Sequence, residues 1–261
     1  MDLVERLRAA GCVFAEDEAA LLATATNDPA RLATLVERRV AGEPLEYVLG
    51  WAEFAGLRLA MCPGVFVPRR RSEVLVEQAL ARVRGDRPPV VVDVCCGSGA
   101  LAVAVRVAVP NAEVYASDCS PEAVACAREN LRPLGVPDDH VLQGDLLRPL
   151  PARIRTGVDV LLANVPYVPS DAIDTMPAEA REHEPLAALD GGADGLDVLR
   201  RLAPDVPLWL APRGELLTEC APGQAEPACA ILAGVGLGPT VHRDPKRGAT
   251  VVIARNNVGS C

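Results

Sequence analysis

The fold of this chain is decided at Asp93-Val94-Cys95-Cys96-Gly97-Ser98-Gly99-Ala100. An unbroken apolar run, Val90-Val91-Val92, enters the stretch as a buried strand, and residues 100–109 leave it as a helix. Gly97 and Gly99 permit a tight turn and a close approach of backbone to a ligand. The helix behind them presents unpaired N–H groups at its first turn. Asp118 closes the next predicted strand, 19 residues beyond Gly99, where a carboxylate can accept hydrogen bonds from both hydroxyls of a ribose.

Outward from this loop, strands and helices alternate. A helix at 121–131 is followed by strands at 141–145 and 158–163, a helix at 196–202, strands at 208–211 and 215–219, a helix at 224–233, and closing strands at 240–243 and 250–254. Such alternation predicts a mostly parallel sheet covered by helices on both faces. Upstream, residues 85–89 form a polar, proline-rich connector. Ser72 is placed to cap a helix running from Glu73 to about Arg84, and a hairpin is expected around Gly56. Residues 1–42 carry three short helical stripes, with a break at Asn27-Asp28-Pro29. The predicted organisation is an N-terminal helical domain over 1–50, a hairpin and connecting helix over 51–88, and an α/β domain over 89–256.

Half of the 261 residues are apolar but only 3% are aromatic, so the core must be built from Val, Leu and Ala. The net charge is −9, and residues 1–90, with 12 basic and 13 acidic side chains, account for only −1 of it. An acidic second half argues against direct nucleic-acid binding and suits a small cationic cofactor or a basic partner surface. Nine cysteines include no CxxC arrangement that completes a zinc site, and His140, His183 and His242 show no ligand spacing, so no metal is expected. Reduced thiols, no signal-peptide pattern and no apolar run of membrane-spanning length lead to the expectation of a cytoplasmic protein without membrane association.

The chemistry is read from the ends of the strands. Residues 97–102 also match the dinucleotide fingerprint G-x-G-x-x-A, so a nicotinamide cofactor is one reading of the loop. Asp93 favours another: a carboxylate at the loop mouth can hold the cationic amino end of S-adenosylmethionine, and it would repel a pyrophosphate. Asp145 ends the third strand on the same rim, where it can reach the adenine amino group with Leu146 against the ring, or serve only as a turn residue. Asn164-Val165-Pro166-Tyr167 follows the fourth strand, one strand end from the glycine loop. An amide or aryl amine nitrogen is a poor nucleophile, because its lone pair is delocalised. A site that methylates one must accept hydrogen bonds from both of its N–H groups. Asn164 offers a side-chain carbonyl, Val165 a main-chain carbonyl, and Tyr167 a flat face for a planar group.

With these residues assembled, the chain resembles the HemK/PrmC-type protein-(glutamine-N5) methyltransferase family over nearly its whole length. The resemblance rests on residues 42–50 (Gly-Glu-Pro-Leu-Glu-Tyr-Val-Leu-Gly) and on residues 67–73, which are similar to a P-R-P-x-T-E segment. It rests also on the loop, Asp118, the N-x-P-Y tetrad, residues 184–192 (Glu-Pro-Leu-Ala-Ala-Leu-Asp-Gly-Gly) and Asp194-Gly195-Leu196. It implies a Rossmann-like class I fold with seven strands, the last pair antiparallel, and S-adenosylmethionine as cofactor. It implies that Cys95, Cys96, Gly97, Ser98, Gly99, Asp118, Leu146 and Asn164 line that cofactor, with S-adenosylhomocysteine as product. Asn164, Val165, Pro166 and Tyr167 would hold the glutamine amide of the GGQ motif of a peptide-chain release factor. The chain departs from the pattern at Val165 (usually Pro), at Cys95-Cys96 (usually Gly-Thr), and at Arg70 and Ser72 (usually Pro and Thr). These departures keep another protein glutamine, or a small-molecule N- or O-methyl acceptor, as alternatives.

Overall fold

A computed structural model describes residues 2–83 and 87–257. The chain opens with three helices, α1 (Leu3–Ala9), α2 (Ala15–Ala25) and α3 (Pro29–Val40). Asp2 and Glu5 form a reciprocal capping box on α1, and Asp28 caps α3 ahead of a proline at its first turn. Leu7, Leu22, Leu35 and Val36 meet in a small apolar cluster of their own, which Val48 closes from the short helix α4 (Leu45–Leu49). The hairpin expected around Gly56 is present: β1 (Trp51–Phe54) pairs antiparallel with β2 (Leu57–Ala60) across Ala55-Gly56, both in the left-handed region at φ 51° and 72°.

Helix α5 (Glu73–Leu80) is shorter than the sequence suggests; the expected end at Arg84, and part of the connector at 85–89, lie outside the described residues. Ser72 does not cap it: its backbone is already helical, and its hydroxyl is turned toward Asn164 instead. Then β3 (Val90–Val94), α6 (Ala100–Ala108), β4 (Glu113–Asp118), α7 (Pro121–Leu131), β5 (Val141–Gln143) and β6 (Val158–Ala163) follow in the expected order. The strand expected over 141–145 is shorter than predicted: β5 stops at Gln143, and Asp145 falls in the turn beyond it.

The carboxy-terminal half brings α8 (Ala178–His183), which the sequence reading missed, then α9 (Asp197–Leu202), α10 (Val206–Trp209), β7 (Leu210–Glu219), α11 (Ala225–Gly234), β8 (Leu237–Asp244) and β9 (Ala249–Asn256). The two strands expected at 208–211 and 215–219 are one, which begins only at Leu210; Leu208 and Trp209 belong to α10 instead. Pro212-Arg213-Gly214 does not end the strand but bulges: β6 pairs Val158 with Leu210 and Val160 with Glu215, and Arg213 sits at φ 69°.

Seven strands form one sheet in the order β5-β4-β3-β6-β7-β9-β8, parallel except where β9 runs against both of its neighbours. This is the seven-stranded Rossmann-like class I sheet that the resemblance implies, with its last pair antiparallel. β3 is buried along its whole length because both faces are covered. Val91 packs with α5, α6 and α7; Val90, Val92 and Val94 pack with α9, α10 and α11. The order reverses between β3 and β4 on one side and β6 on the other. The carboxyl ends of β3, β4 and β6 therefore open into a common crevice, where ligands bind in such sheets. Helix α4, the hairpin and the stretch after it close it from above: Tyr47, Ala52, Met61, Val65 and Val67 pack on Ala123 and Cys126 of α7.

Candidate active site

One cavity occupies that crevice, with roughly 1120 Å³ of empty space, part of it continuous with solvent. Its walls include Asp93, Cys95, Cys96, Gly97, Ser98 and Asp118 on one side and Asn164, Val165, Pro166 and Tyr167 on the other. The sequence places these on three strand ends, and the fold brings them to one cleft.

The first half is built mainly from backbone. Cys95 (φ 55°), Gly97 (φ 55°) and Gly99 (φ 75°) turn the chain sharply out of β3. At Gly99 a side chain would also collide with α7, since a Cβ there would lie 3.1 Å from that of Ala127. Asp118 clamps the loop: one carboxylate oxygen accepts from Gly97 N–H (2.9 Å) and the other from Ser120 N–H (2.9 Å). Each oxygen keeps a lone pair, so ribose hydroxyls can still be accepted. Asn130 was not foreseen. Its side chain donates to the Ser98 carbonyl (2.9 Å) and makes paired bonds with the main chain of Ala60, tying the loop to the hairpin.

Asp93 is deeper than expected. It lies at the base of the loop rather than at its mouth, 1% exposed, and its Oδ2 accepts the Ala102 N–H (3.1 Å) in the first turn of α6. Its Oδ1 is buried without a hydrogen-bond partner among the described residues. Desolvation pushes its carboxyl up to about 7, with the Asp118 charge adding to the shift. An orphaned buried carboxylate oxygen in a cavity wall is what a bound ammonium group would satisfy. Together with the Asp118 clamp, this fits the amino and ribose ends of S-adenosylmethionine. Burial pushes the Cys95 and Cys96 thiols up as well, which favours their neutral form.

Asp145 and Leu146 depart from expectation. Neither belongs to the cavity walls: Asp145 is held by Arg201 (2.5 Å) and Arg148 (3.4 Å), and the Leu146 carbonyl accepts from Ser117 Oγ (2.7 Å). The carboxylate expected on the adenine is paired with two guanidinium groups in the ligand-free protein.

The second half is assembled from side chains of distant segments. Asn164 Nδ2 donates to Ser72 Oγ at 3.4 Å, which leaves its amide carbonyl available to an N–H donor. Val165 is 3% exposed and packs into the apolar core beneath the sheet end. Tyr167 is held twice: its hydroxyl donates to Glu219 Oε1 (2.7 Å) and its carbonyl accepts from Gln224 Nε2 (2.8 Å). Gly195 backs this contact, since a Cβ there would strike both Gln224 and the Tyr167 carbonyl. Burial, reinforced by the Glu219 charge, pushes the Tyr167 phenol well up, so it is a donor and not a base. Arg71 lines the same wall and reaches Glu219 Oε1 at 2.9 Å. Pro185, Ala187, Ala188 and Leu189 close the far side, in a segment anchored by Arg69–Glu184 (2.5 Å) and Arg39–Glu179 (2.8 Å). Glu219 and Gln224 are not among the site residues expected from the sequence, and Arg71, which sequence reads as part of a solvated charge run Arg69-Arg70-Arg71, is instead paired with buried Glu219. The signal for Glu219 was a carboxylate at the end of the predicted strand Glu215-Leu216-Leu217-Thr218-Glu219, at the same sheet rim as Asn164.

Comparison with known proteins agrees with this geometry. The family described as methyltransferase small domain matches residues 57–183. In the solved structures the fold is shared with a 16S rRNA N2 methyltransferase from T. thermophilus: TM-score 0.57, 20% identity, covering 78% of this chain and 49% of that one. It is shared too with a ribosomal protein methylase from Lactobacillus delbrueckii, with TM-score 0.51, 19% identity and 74% and 82% coverage. Among curated proteins, the release factor glutamine methyltransferase of Geobacter sulfurreducens is 40% identical over 77% of this chain and 69% of its own length. That of Bordetella pertussis is 40% identical over 86% and 84%. The chain, an S-adenosylmethionine-dependent methyltransferase, thus belongs to the release factor glutamine methyltransferase family.

Proposed function

We propose that this protein methylates the side-chain amide nitrogen N5 of a glutamine in a peptide-chain release factor. The observation that carries this reading is the wall formed by Asn164 to Tyr167. It shares one cavity with the Asp93–Gly99 loop and offers carbonyl acceptors beside a fixed aromatic face. S-adenosylmethionine, when bound, supplies an electrophilic methyl group on a sulfonium. We assign its amino end to Asp93, its ribose to Asp118, and close contact with its backbone-facing side to Cys95, Cys96, Gly97, Ser98 and Gly99.

The protein's own contribution is alignment. The Asn164 side-chain carbonyl and the Val165 main-chain carbonyl accept the two amide N–H groups, and Tyr167 presents its ring to the planar amide. Orientation of this kind contributes ~7–11 kcal/mol where it is complete. No general base is required at the nitrogen, because an amide that has gained a methyl group there is a strong acid and loses its proton to water. The raised phenol of Tyr167 and the neutral cysteine thiols are consistent with that division of labour.

We also read the chain as a helical unit over 1–50, a connecting hairpin and helix over 51–88, and the catalytic domain over 89–256. What supports this division is the separate apolar cluster of the first helices. Among the described residues no helix is long and apolar enough to cross a membrane.

Incubation of the protein with labelled S-adenosylmethionine and a release factor should place one methyl group on a glutamine, read by mass spectrometry of the proteolysed factor. No transfer to the release factor, with turnover of small amines instead, would replace this reading with the small-molecule alternative.

A further inference from the structure

Glu219 stands outside the cavity, yet two of the cavity's side chains depend on it. It ends β7 one residue beyond the Ala163–Thr218 pairing, which brings its backbone beside Asn164. It is 2% exposed, and its Oε1 accepts from both Tyr167 Oη (2.7 Å) and Arg71 Nε (2.9 Å). The Arg71 guanidinium lies 5.8 Å from the centroid of the Tyr167 ring, so the three groups form one unit. Its Oε2 is buried without a partner among the described residues.

This arrangement is costly as mere packing. A buried carboxylate loses its hydration, and an apolar or amide side chain of the same shape would serve the core with less penalty. The main chain of Tyr167 is already fixed by Gln224, so the phenol contact adds nothing to the backbone. What it adds is the angle of the ring. The Arg71 contact likewise fixes where a positive charge stands on the wall. Arg71 comes from the segment ahead of α5, Tyr167 from the turn after β6, and Glu219 from the end of β7. The carboxylate is the group that joins the three segments.

We infer that Glu219 is a positioning residue for the methyl acceptor: without touching it, Glu219 holds Tyr167 and Arg71 in the orientation that forms the acceptor side of the cavity. The inference rests on the reading of residues 164–167 as the acceptor site. It does not involve the cofactor half: the hydrogen bonds and ion pair of Glu219 go to Tyr167 and Arg71.

The test compares Glu219→Gln, Tyr167→Phe and the double variant, using a release-factor glutamine peptide as acceptor and calorimetry for S-adenosylmethionine. Each single variant should raise the KM for the acceptor about tenfold, equivalent to one lost hydrogen bond to a charged group. The cofactor Kd should stay within about twofold of wild type, and the double variant should be less impaired than the product of the singles, because both act on the same contact: Gln keeps an acceptor oxygen but loses the charge, and Phe removes the donor. An unchanged acceptor KM, a cofactor Kd that moves in step with it, or effects that multiply fully would each overturn the inference. Should Glu219→Gln fail to fold, Tyr167→Phe carries the test, since it removes the contact and leaves the charge paired with Arg71. Failure of the wild type to methylate the peptide would instead strike the acceptor reading itself.

Discussion

The two halves of the cleft are made differently. The cofactor half is backbone: a short loop, one clamping carboxylate and a helix start, all within residues 93–118. The acceptor half is side chains from residues 71–72, 164–167, 184–189 and 219–224, joined only by the fold. A backbone-built site keeps its shape when a side chain changes. A side-chain-built site can be retuned one contact at a time. The same scaffold can therefore hold one donor across many enzymes while its acceptors vary.

If that contrast holds, substitutions should separate by half. The largest effect is expected at Asn164. Asn164→Ala removes the amide carbonyl offered to the acceptor and should lower kcat about 10²-fold or more, as for a misaligned nucleophile, with the cofactor Kd nearly unchanged. Steady-state kinetics with calorimetry reads both; near-normal turnover would reduce Asn164 to a turn residue. Next comes Asp118→Ala, which should weaken cofactor binding by about 1.5–3 kcal/mol, the range for hydrogen bonds to a charged group, while leaving kcat at saturation largely intact. A fall in kcat without a change in Kd would mean that the halves are coupled through the Gly97 clamp.

Asp93 gives a smaller effect with two signs. Its carboxyl is raised to about 7 in the ligand-free protein, above its unfolded value of about 3.9. The stability it allows is therefore fully present below pH ~4 and is lost as pH rises through ~7, where the buried group must ionise. Asp93→Asn should raise the Tm of the ligand-free protein more at pH 8 than at pH 5. It should also weaken cofactor affinity about tenfold at pH 8, one hydrogen-bonded charge pair's worth. In the wild type, affinity should climb between about pH 5.5 and pH 7.5 as the carboxylate forms. Thermal scans at the two pH values, with and without cofactor, separate these outcomes; an equal Tm change at both would show that Asp93 does not titrate in this window.

The smallest effect belongs to Cys95. A non-glycine residue at φ 55° carries a strain of about 1–2 kcal/mol. Cys95→Gly should recover part of it as stability, with no change in acceptor KM, because the residue belongs to the backbone-built half. A denaturant midpoint that falls instead would mean that the thiol's packing outweighs the strain.

The same contrast explains what could be read from sequence. The glycine loop, Asp118 and the N-x-P-Y tetrad were legible because each is a local pattern at a strand end, and strand ends follow from apolar runs such as Val90–Val94 and Val158–Ala163. Asp145 pairs with Arg201 and Arg148, and nothing local in the sequence announces those two partners. Ser72 looked like a helix cap because it precedes Glu73, and only the fold shows its hydroxyl beside Asn164, a partner 92 positions away. Pro212-Arg213-Gly214 looked like a strand end because proline and glycine usually stop strands; a bulge opposite Asp159 absorbs them here.

The placement of β9 has a consequence for how the enzyme comes into being. Residues 249–256 do not sit at the sheet's edge but are threaded between β7 and β8, and Val251 pairs with Glu219. During synthesis the amino-terminal helices and the β3–β4–β5 side of the sheet can form as they emerge. The acceptor wall stays unbraced until almost the whole described chain has been made. The catalyst is thus completed from its donor side to its acceptor side. A nascent chain stalled before residue 249 would lack the strand that braces the end of β7, and with it a settled place for Glu219 and Tyr167.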